Sequence, residues 1–361
     1  MWRVRHENGR KSMTTRGTPY AITMSDVAAL ARVSRATVSR VLAGHDVVSG
    51  STRERVLHAV ETLGYVPNAN AQSLAQPRAN AVGVLLRDPR NPVYGLLHAS
   101  LQEAAPALGL EVVAATVSQQ GGVEAEREGI QRLRRHRVSG ILIASGSAPS
   151  SLVAETAATL PTVAVGRVET DPTLTAVSYD ERANCELIAD AVVAAGHRRV
   201  GVFRVPVRFS YMENLRGELL ASGLRARGVE VMDVDDAPDP AGSGAAGEGM
   251  GRLIDMARRG EVTCLCFPTD LRMLAFMDAA GKAGVRVPED VSVTGIDGIM
   301  QGRDYLGLTT VRLPVEDVAR RALEVFAEQV ARGPGVAVGS ELLPGKLVRG
   351  RTLGAPPMGP G

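Results

Sequence analysis

The stretch ITMSDVAALARVSRATVSRVLAG, residues 22–44, reads as two short helices around a tight turn. Thr23 stands where an N-cap is needed, and Asp26, three residues on, is placed to reach back to it as a capping-box partner. Val27, Ala28, Leu30 and Ala31 recur at helical spacing and give the first helix an apolar stripe. Val33 falls in the turn. Ser34 then caps a second helix whose Val38, Val41 and Leu42 face inward, and Gly44 ends it. Downstream, Ser49 or Ser51 caps a third helix, TRERVLHAVETLGY, with Val56, Leu57, Val60 and Leu63 apolar. Three short helices around one small core make a helix-turn-helix domain, and this one spans residues 22–67.

The outward face of the second helix carries Arg35, Ala36, Thr37, Ser39 and Arg40. Arginine reads guanine through two parallel hydrogen bonds, and Ala or Thr methyls touch thymine. A solvated face on a small bundle uses similar residues, but here the cap, the turn spacing and the charge agree. Residues 1–80 hold 11 Lys and Arg against 5 Asp and Glu, whereas residues 81–361 hold 30 against 34. A basic N-terminal piece on a mildly acidic body points to a polyanion partner.

PNANAQSLAQP, residues 67–77, sets a two-turn helical pattern between prolines. It has one large apolar residue, Leu74, and no apolar face to bury. Helices this short are marginal alone. A plain linker satisfies the pattern, and so does a helix that forms only when something completes it.

These residues closely resemble the DNA-binding head of the lactose repressor (LacI/GalR) family, ungapped from Ile22 to Ala75. The resemblance rests on T-M-S-D-V-A-A-L-A-R-V-S-R-A-T-V-S-R-V-L, V-S-G-S-T-R-E-R-V and L-G-Y-V-P-N-A-N-A-Q-S-L-A. It implies that residues 68–79 are a hinge helix and linker. Two such helices from a homodimer would lie in the minor groove of an operator, with Leu74 wedged into the central base step. Arg35, Ala36 and Thr37 would read the major groove, with Ser34, Ser39, Arg40 and Asn68 positioning the protein on phosphates. Arg32 departs from the family, which often has Gly or Asn there. A left-handed conformation at Arg32 costs of order 1 kcal/mol.

Past residue 80, short Val/Ile/Leu runs alternate with helical patterns: 81–86, 111–115, 140–144, 162–165, 200–203, 263–267 and 291–296. Such runs form parallel sheets covered on both faces. There are too many for one sheet, so two doubly wound α/β subdomains are expected, about 80–179 with 313–340 and 180–310 with 341–354. Ligands bind such sheets at the carboxyl ends of the strands. NPVY, RVSGILI, VSYD, AAGHRRV, VPEDVSVTGID and LTTVRLP resemble the same family's effector domain, which looks like a periplasmic sugar-binding protein. The resemblance implies a small-molecule effector, a sugar or related metabolite, in the cleft between subdomains. Its pocket candidates are Asp88, Tyr94, Ser145, Arg167, Arg208, Ser210, Asn214, Thr269, Asp270 and Asp297. Asn214 stands where the family often has a ligand-clamping Arg, and Thr269 where it often has Asn. Arg208 raises the alternative of a carboxylate- or phosphate-bearing ligand.

The rest of the chain narrows the field. Hydrophobic residues make up 45% and aromatics 3% of 361 residues, giving two or three domains with an aliphatic core. No run is long and apolar enough to cross a membrane. Residues 1–21 read as a disordered basic extension holding Arg3, Arg5, Arg10, Lys11 and Arg16. Met13 and Met24 are alternative starts. Cys185, Cys264 and Cys266 form no disulfide framework and fit a reducing cytoplasm. GSGAAG, 242–247, lacks the strand that a dinucleotide fingerprint needs directly before it. Cys264 and Cys266 have no His at metal-ligand spacing, His197 reads as structural, and GAPPMGPG reads as disorder. No heptad tail for a tetramer is present. No cofactor and no catalytic constellation is expected. The reading is a ligand-responsive regulator, a repressor in sign because an occupied operator blocks polymerase. The alternatives are a solute-binding protein and an α/β enzyme with an accessory DNA-binding head.

Overall fold

The computed structural model describes residues 22–42, 48–65, 80–88, 90–117, 121–235 and 248–357. The basic extension, Gly44, the hinge stretch with Asn68 and Leu74, and the GSGAAG loop lie outside the described residues. The chain divides into two units between Gln76 and Pro77.

In the first unit, α1 (Met24–Ala31), α2 (Arg35–Leu42) and α3 (Gly50–Leu63) pack around Val27, Ala28, Ala31, Val38, Val41, Val56, Ala59 and Tyr65. The Asp26 carboxylate accepts from the Thr23 backbone N–H at 2.8 Å and from its hydroxyl at 2.7 Å, closing the first turn of α1. Those bonds hold the Asp26 carboxyl below its usual range. Arg32 ends α1 at φ 51, ψ 50, the left-handed conformation expected of it. Leu30 and Leu57 do not join the core: each is 49% exposed. Ala28 and Ala31 already fill the α1 seam, and Val56 and Ala59 the α3 seam, so small residues bring the helices close and leave the leucines outside.

The second unit holds twelve strands in two sheets. In chain order they are β1 (Ala81–Arg87), β2 (Glu111–Val117), β3 (Gly140–Ala144), β4 (Thr162–Val165), β5 (Ala176–Tyr179), β6 (Arg199–Arg204), β7 (Glu230–Asp235), β8 (Cys264–Cys266), β9 (Ser292–Asp297), β10 (Thr310–Arg312), β11 (Ser340–Leu343) and β12 (Lys346–Val348). The first sheet runs β11-β5-β4-β3-β1-β2 and is parallel throughout. The second runs β12-β10-β9-β8-β6-β7, with only β12 antiparallel.

Helices α4 (Pro92–Ala104), α5 (Gly122–Arg135), α6 (Ser150–Ala157) and α12 (Val315–Arg332) cover the first sheet. Helices α7 (Glu181–Ala194), α8 (Tyr211–Ala226), α9 (Glu248–Arg258) and α10 (Asp270–Lys282) cover the second, and the short α11 spans Arg303–Leu306. The fully buried runs GILIA and SVTGID form central strands, the first apolar throughout and the second with Ser292, Thr294 and Asp297 among its buried residues. The chain passes between the sheets three times: after β5, after β10 and after β11. The last passage falls between Leu343 and Lys346, later than the 340/341 boundary read from the sequence, because Ser340–Leu343 pair in register with Ala176–Tyr179.

Gly354 is tied to the second sheet and to His197. Gly354 N–H donates to Ser292 Oγ at 3.0 Å, and the Gly354 carbonyl meets His197 Nε2 at 3.0 Å. These bonds fix Gly354, the first residue of GAPPMGPG. The His197 ring is buried, with its Nδ1 against Thr263 Oγ1 at 2.9 Å. Burial holds its pKa below the usual imidazole value.

Candidate nucleic-acid interface and ligand cleft

On the first unit, α2 begins at a built cap. Ser34 Oγ accepts from the Thr37 backbone N–H at 3.1 Å and lies 2.9 Å from Thr37 Oγ1. Thr37 is therefore half-buried and engaged with the cap. Arg35, Ala36, Ser39 and Arg40 are exposed beside one another on the same helix. A capped helix start with exposed arginines and small residues can offer both N–H groups and guanidinium forks to phosphates and base edges.

In the second unit, the predicted pocket residues gather at the carboxyl ends of the strands. At the end of β1, Asp88 adopts a positive φ of 41° and is buried. Burial pushes its carboxyl up, but Arg90 outweighs this with Nε at 2.9 Å and a backbone N–H at 3.2 Å, leaving the pKa below its usual value. Tyr94 Oη accepts from Gly146 N–H at 3.3 Å. Ser145 donates to the buried Glu126 carboxylate through a very short bond. Burial raises the Glu126 pKa, against that bond and the charges of Arg87 and Arg167. Arg167 is committed to the protein itself: it donates to the Ser145 carbonyl at 3.0 Å and to the Ala148 carbonyl, and pairs with Glu169 at 2.7 Å. It pins the loop after β3.

At the end of β9, Asp297 lies at φ 141° and is buried. Gly298 follows at φ 63°, and a Cβ there would fall 2.5 Å from Arg312 Cα, so the turn after β9 requires glycine. Positive φ at both strand-end aspartates, Asp88 and Asp297, is backbone strain of about 1–3 kcal/mol each, which the surrounding contacts must hold. Asp297 accepts from Arg216 Nη1 at 3.0 Å. Arg216 also grips Glu181 through two bonds, 2.7 and 2.8 Å, and donates to the Pro268 carbonyl at 3.1 Å. All three side chains are buried, so one guanidinium faces two carboxyl groups away from water. Burial pushes the Asp297 carboxyl up to about 8 even against the pull of Arg216, and the two carboxylates hold the Arg216 pKa well above its usual value.

The remaining candidates have structural partners. Ser210 caps α8 by accepting from Glu213 N–H at 3.3 Å, and Asn214 Nδ2 donates to the Val205 carbonyl at 2.9 Å. Thr269 caps α10, its Oγ1 accepting from Arg272 N–H at 3.4 Å. Asp270 ties β9 to β10, accepting from Gly298 N–H at 2.8 Å and Thr310 Oγ1 at 2.6 Å. Arg208 is exposed, with its guanidinium 4.6 Å from the Phe209 ring, apart from the buried charges.

Arg87, Glu126, Glu181 and Arg216 were not among the expected residues. Arg87 Nη2 donates to the Phe209 carbonyl at 3.0 Å, joining the two subdomains. Near it, a Cβ on Gly146 would meet Met212 Cγ at 3.4 Å and Tyr94 Oη at 3.7 Å. The strand ends of both sheets therefore meet around Arg87, Tyr94, Gly146 and Met212. Among the described residues no group of three or more His, Cys, Asp or Glu could hold a metal ion, and no helix is long and apolar enough to cross a membrane. Cys264 and Cys266 are buried in β8.

Three family descriptions match. "Bacterial regulatory proteins, lacI family" covers residues 23–68. "Periplasmic binding proteins and sugar binding domain of LacI family" covers 79–250, and "Periplasmic binding protein-like domain" covers 189–353. The chain is 31% identical to the HTH-type transcriptional regulator MalR of Streptomyces coelicolor, covering 95% of this chain and 98% of that one. Among solved structures it is similar to the lac repressor dimer bound to operator and the anti-inducer ONPF, with a TM-score of 0.78 and 27% identity over 92% of this chain and 99% of that chain. It is also similar to the transcriptional regulator CelR–cellobiose complex, with a TM-score of 0.61 and 27% identity over the same shares.

Proposed function

The chain belongs to the lacI family of bacterial regulatory proteins, and on that premise we propose that it is a ligand-responsive repressor binding a specific DNA site. The observation that carries the reading is the α2 start: a Ser34 cap with Arg35, Ala36, Ser39 and Arg40 exposed beside it. Arg35 and Ala36 read the major groove, while Thr37, tied to the cap, contributes its methyl. Ser34, Ser39, Arg40 and Asn68 meet phosphates. The protein acts as a homodimer on a pseudo-palindromic operator, and Leu74 wedges the central step. The lac repressor dimer on its operator supports that arrangement.

The effector is a neutral, hydroxyl-rich small molecule of the sugar class, held between the subdomains. Asp297 and Asp88 receive its hydroxyls, and Tyr94 and Ser145 line the opposite wall. The match described as a sugar binding domain and the likeness to a cellobiose complex support this class. An anionic ligand gripped by Arg208 finds less support, because that side chain is exposed and stacked on Phe209. Effector binding shifts the Arg87–Phe209 contact between subdomains and so biases the hinge segment and DNA affinity.

Selection from a random duplex pool with purified protein tests the DNA reading. Enrichment of a two-fold symmetric site with a central pyrimidine–purine step is expected. Sequence-independent, salt-sensitive binding alone refutes it. A thermal-shift screen of neutral saccharides, repeated with Asp297→Ala, tests the effector reading. A shift of equal size in both proteins counts against the cleft.

A further inference from the structure

The second unit carries an exposed basic edge that none of the functions above uses. The strands of the first sheet begin level with one another, Ala81 opposite Glu111 and Val82 opposite Gly140. The turn into β3 reads RRHR, residues 134–137, and Ser139 N–H donates to the Ala81 carbonyl at 2.8 Å. This turn therefore stands beside the start of β1, where the chain arrives from the DNA-binding unit. Helix α12 ends on the same edge. Gln329 accepts from Thr175, the residue before β5, at 2.8 Å, and Gly335 N–H donates to Ala157 at the end of α6 at 2.8 Å.

Arg135, His136, Arg137 and Arg332 are exposed there. Arg134 bonds a neutral partner, Thr159 Oγ1, at 2.6 Å. Among the described residues no carboxylate lies within ion-pair distance of Arg135 or Arg332, while Arg134 acts on the nearby Glu155 carboxylate without a direct ion pair. Elsewhere on the same helix the pattern is the opposite: Arg320 pairs with Asp317 and Glu324, and Arg321 with Glu324, Glu328 and Glu341. Glu111 is the one acidic residue at the strand starts β1, β2 and β3. A positive edge has thus been kept on a body whose residues 81–361 hold 30 Lys and Arg against 34 Asp and Glu.

We infer that this edge contacts the phosphate backbone of duplex DNA flanking the recognised site. The inference rests on the regulator reading. Duplex DNA offers a phosphate charge about every 1.7 Å along its axis, and arginine forks match phosphate oxygens. Fourteen residues, 66–79, separate Tyr65 from Asn80, so a short stretch of chain tethers the second unit to the DNA-binding unit. That tether holds the arginines at high local concentration around bound DNA.

The test uses the full chain and two duplexes: the minimal selected site, and the same site extended by about one helical turn of unrelated sequence on each side. The wild type binds the extended duplex more tightly. The double variant Arg135→Ala/Arg332→Ala loses that gain, about threefold or more, while binding the minimal duplex as before. The slope of log affinity against log salt on the extended duplex becomes shallower by about 0.9 for each phosphate that the variant leaves unneutralised. Arg135→Lys/Arg332→Lys recovers most of both. Arg349→Ala, exposed in the second subdomain, changes neither. Equal affinities and slopes for wild type and double variant on the extended duplex overturn the inference, as does an equal loss in the Arg349→Ala control. If the wild type fails to bind the minimal duplex specifically, the regulator reading falls and takes this inference with it.

Discussion

Replacing Asp297 with Asn keeps the shape of the side chain and removes its titration. Arg216 makes two bonds to Glu181 and one to Asp297, so its single charge is matched by Glu181 and leaves Asp297 with a surplus negative charge in a buried site. Burial accordingly lifts the Asp297 pKa to about 8, from 3.8 for a free aspartate. Below about pH 4 the proton is bound in the folded and unfolded states alike, and the group adds no pH dependence. Between about pH 4 and 8 the unfolded chain has lost the proton and the folded protein keeps it. Wild-type stability then falls by about 1.4 kcal/mol per pH unit, and levels off above pH 8. The Asp297→Asn variant has no such slope. Between pH 5 and 7 its stability relative to the wild type should therefore improve by about 2.7 kcal/mol. Urea unfolding of both proteins at pH 5, 6, 7 and 8, at one protein concentration, measures the difference. A difference that does not change over this range would refute the reasoning. It would mean that Arg216 holds Asp297 ionised throughout.

Three further outcomes follow from the same contacts. Arg216→Met strands the buried Glu181 carboxylate without a counter-charge and should cost about 3–5 kcal/mol, read by urea unfolding at neutral pH. Ser34→Ala removes the α2 cap and should cost about 1 kcal/mol, with weaker specific DNA binding; unchanged hydrogen exchange at Val38 and Val41 would contradict it. Arg32→Gly relieves the left-handed residue after α1 and should slow hydrogen exchange at Val27 and Val56 by up to about fivefold, equivalent to about 1 kcal/mol. Faster exchange would show that the arginine side chain stabilises the turn more than its backbone strain costs.

The helix-turn-helix unit was legible because its signals are local. Thr23 with Asp26, Ser34 with Thr37, and the αL position at Arg32 each lie within a few residues of what they bond. The parallel sheets were legible because strands buried on both faces are mostly apolar, as in β3, GILIA. The cleft was only partly so. Asp297 could be found because it ends a strand, which is a local fact. Arg216 could not, because its partners lie 35 and 81 residues away and on other elements. In ENLRGELLASG it looks like any helical arginine. Arg167 shows the converse: a strand-end arginine suggests a ligand grip, but its donors are taken up by Ser145, Ala148 and Glu169. Leu30 and Leu57 mark the limit of periodicity, which finds an apolar stripe without saying how wide a face the neighbouring helices cover.

The threefold passage of the chain between the sheets sets a condition on synthesis. β3 and β4 are complete when the ribosome reaches Val165, but their covering helix α12 ends only at Arg332. Within it Val318, Ala322, Leu323 and Phe326 are buried, and Phe326 lies so close to β3 that a Cβ on Gly140 would fall 2.6 Å from its ring. At about 5–20 residues per second the gap lasts roughly ten to thirty seconds. Throughout it, the β4 and β5 part of one apolar face waits for residues not yet made, while the second lobe is being translated in between. Chaperone engagement should therefore concentrate on nascent chains of intermediate length. A message truncated before codon 315 yields no smaller working lobe, only two unfinished sheets, the first of them still uncovered over β4 and β5 on one face.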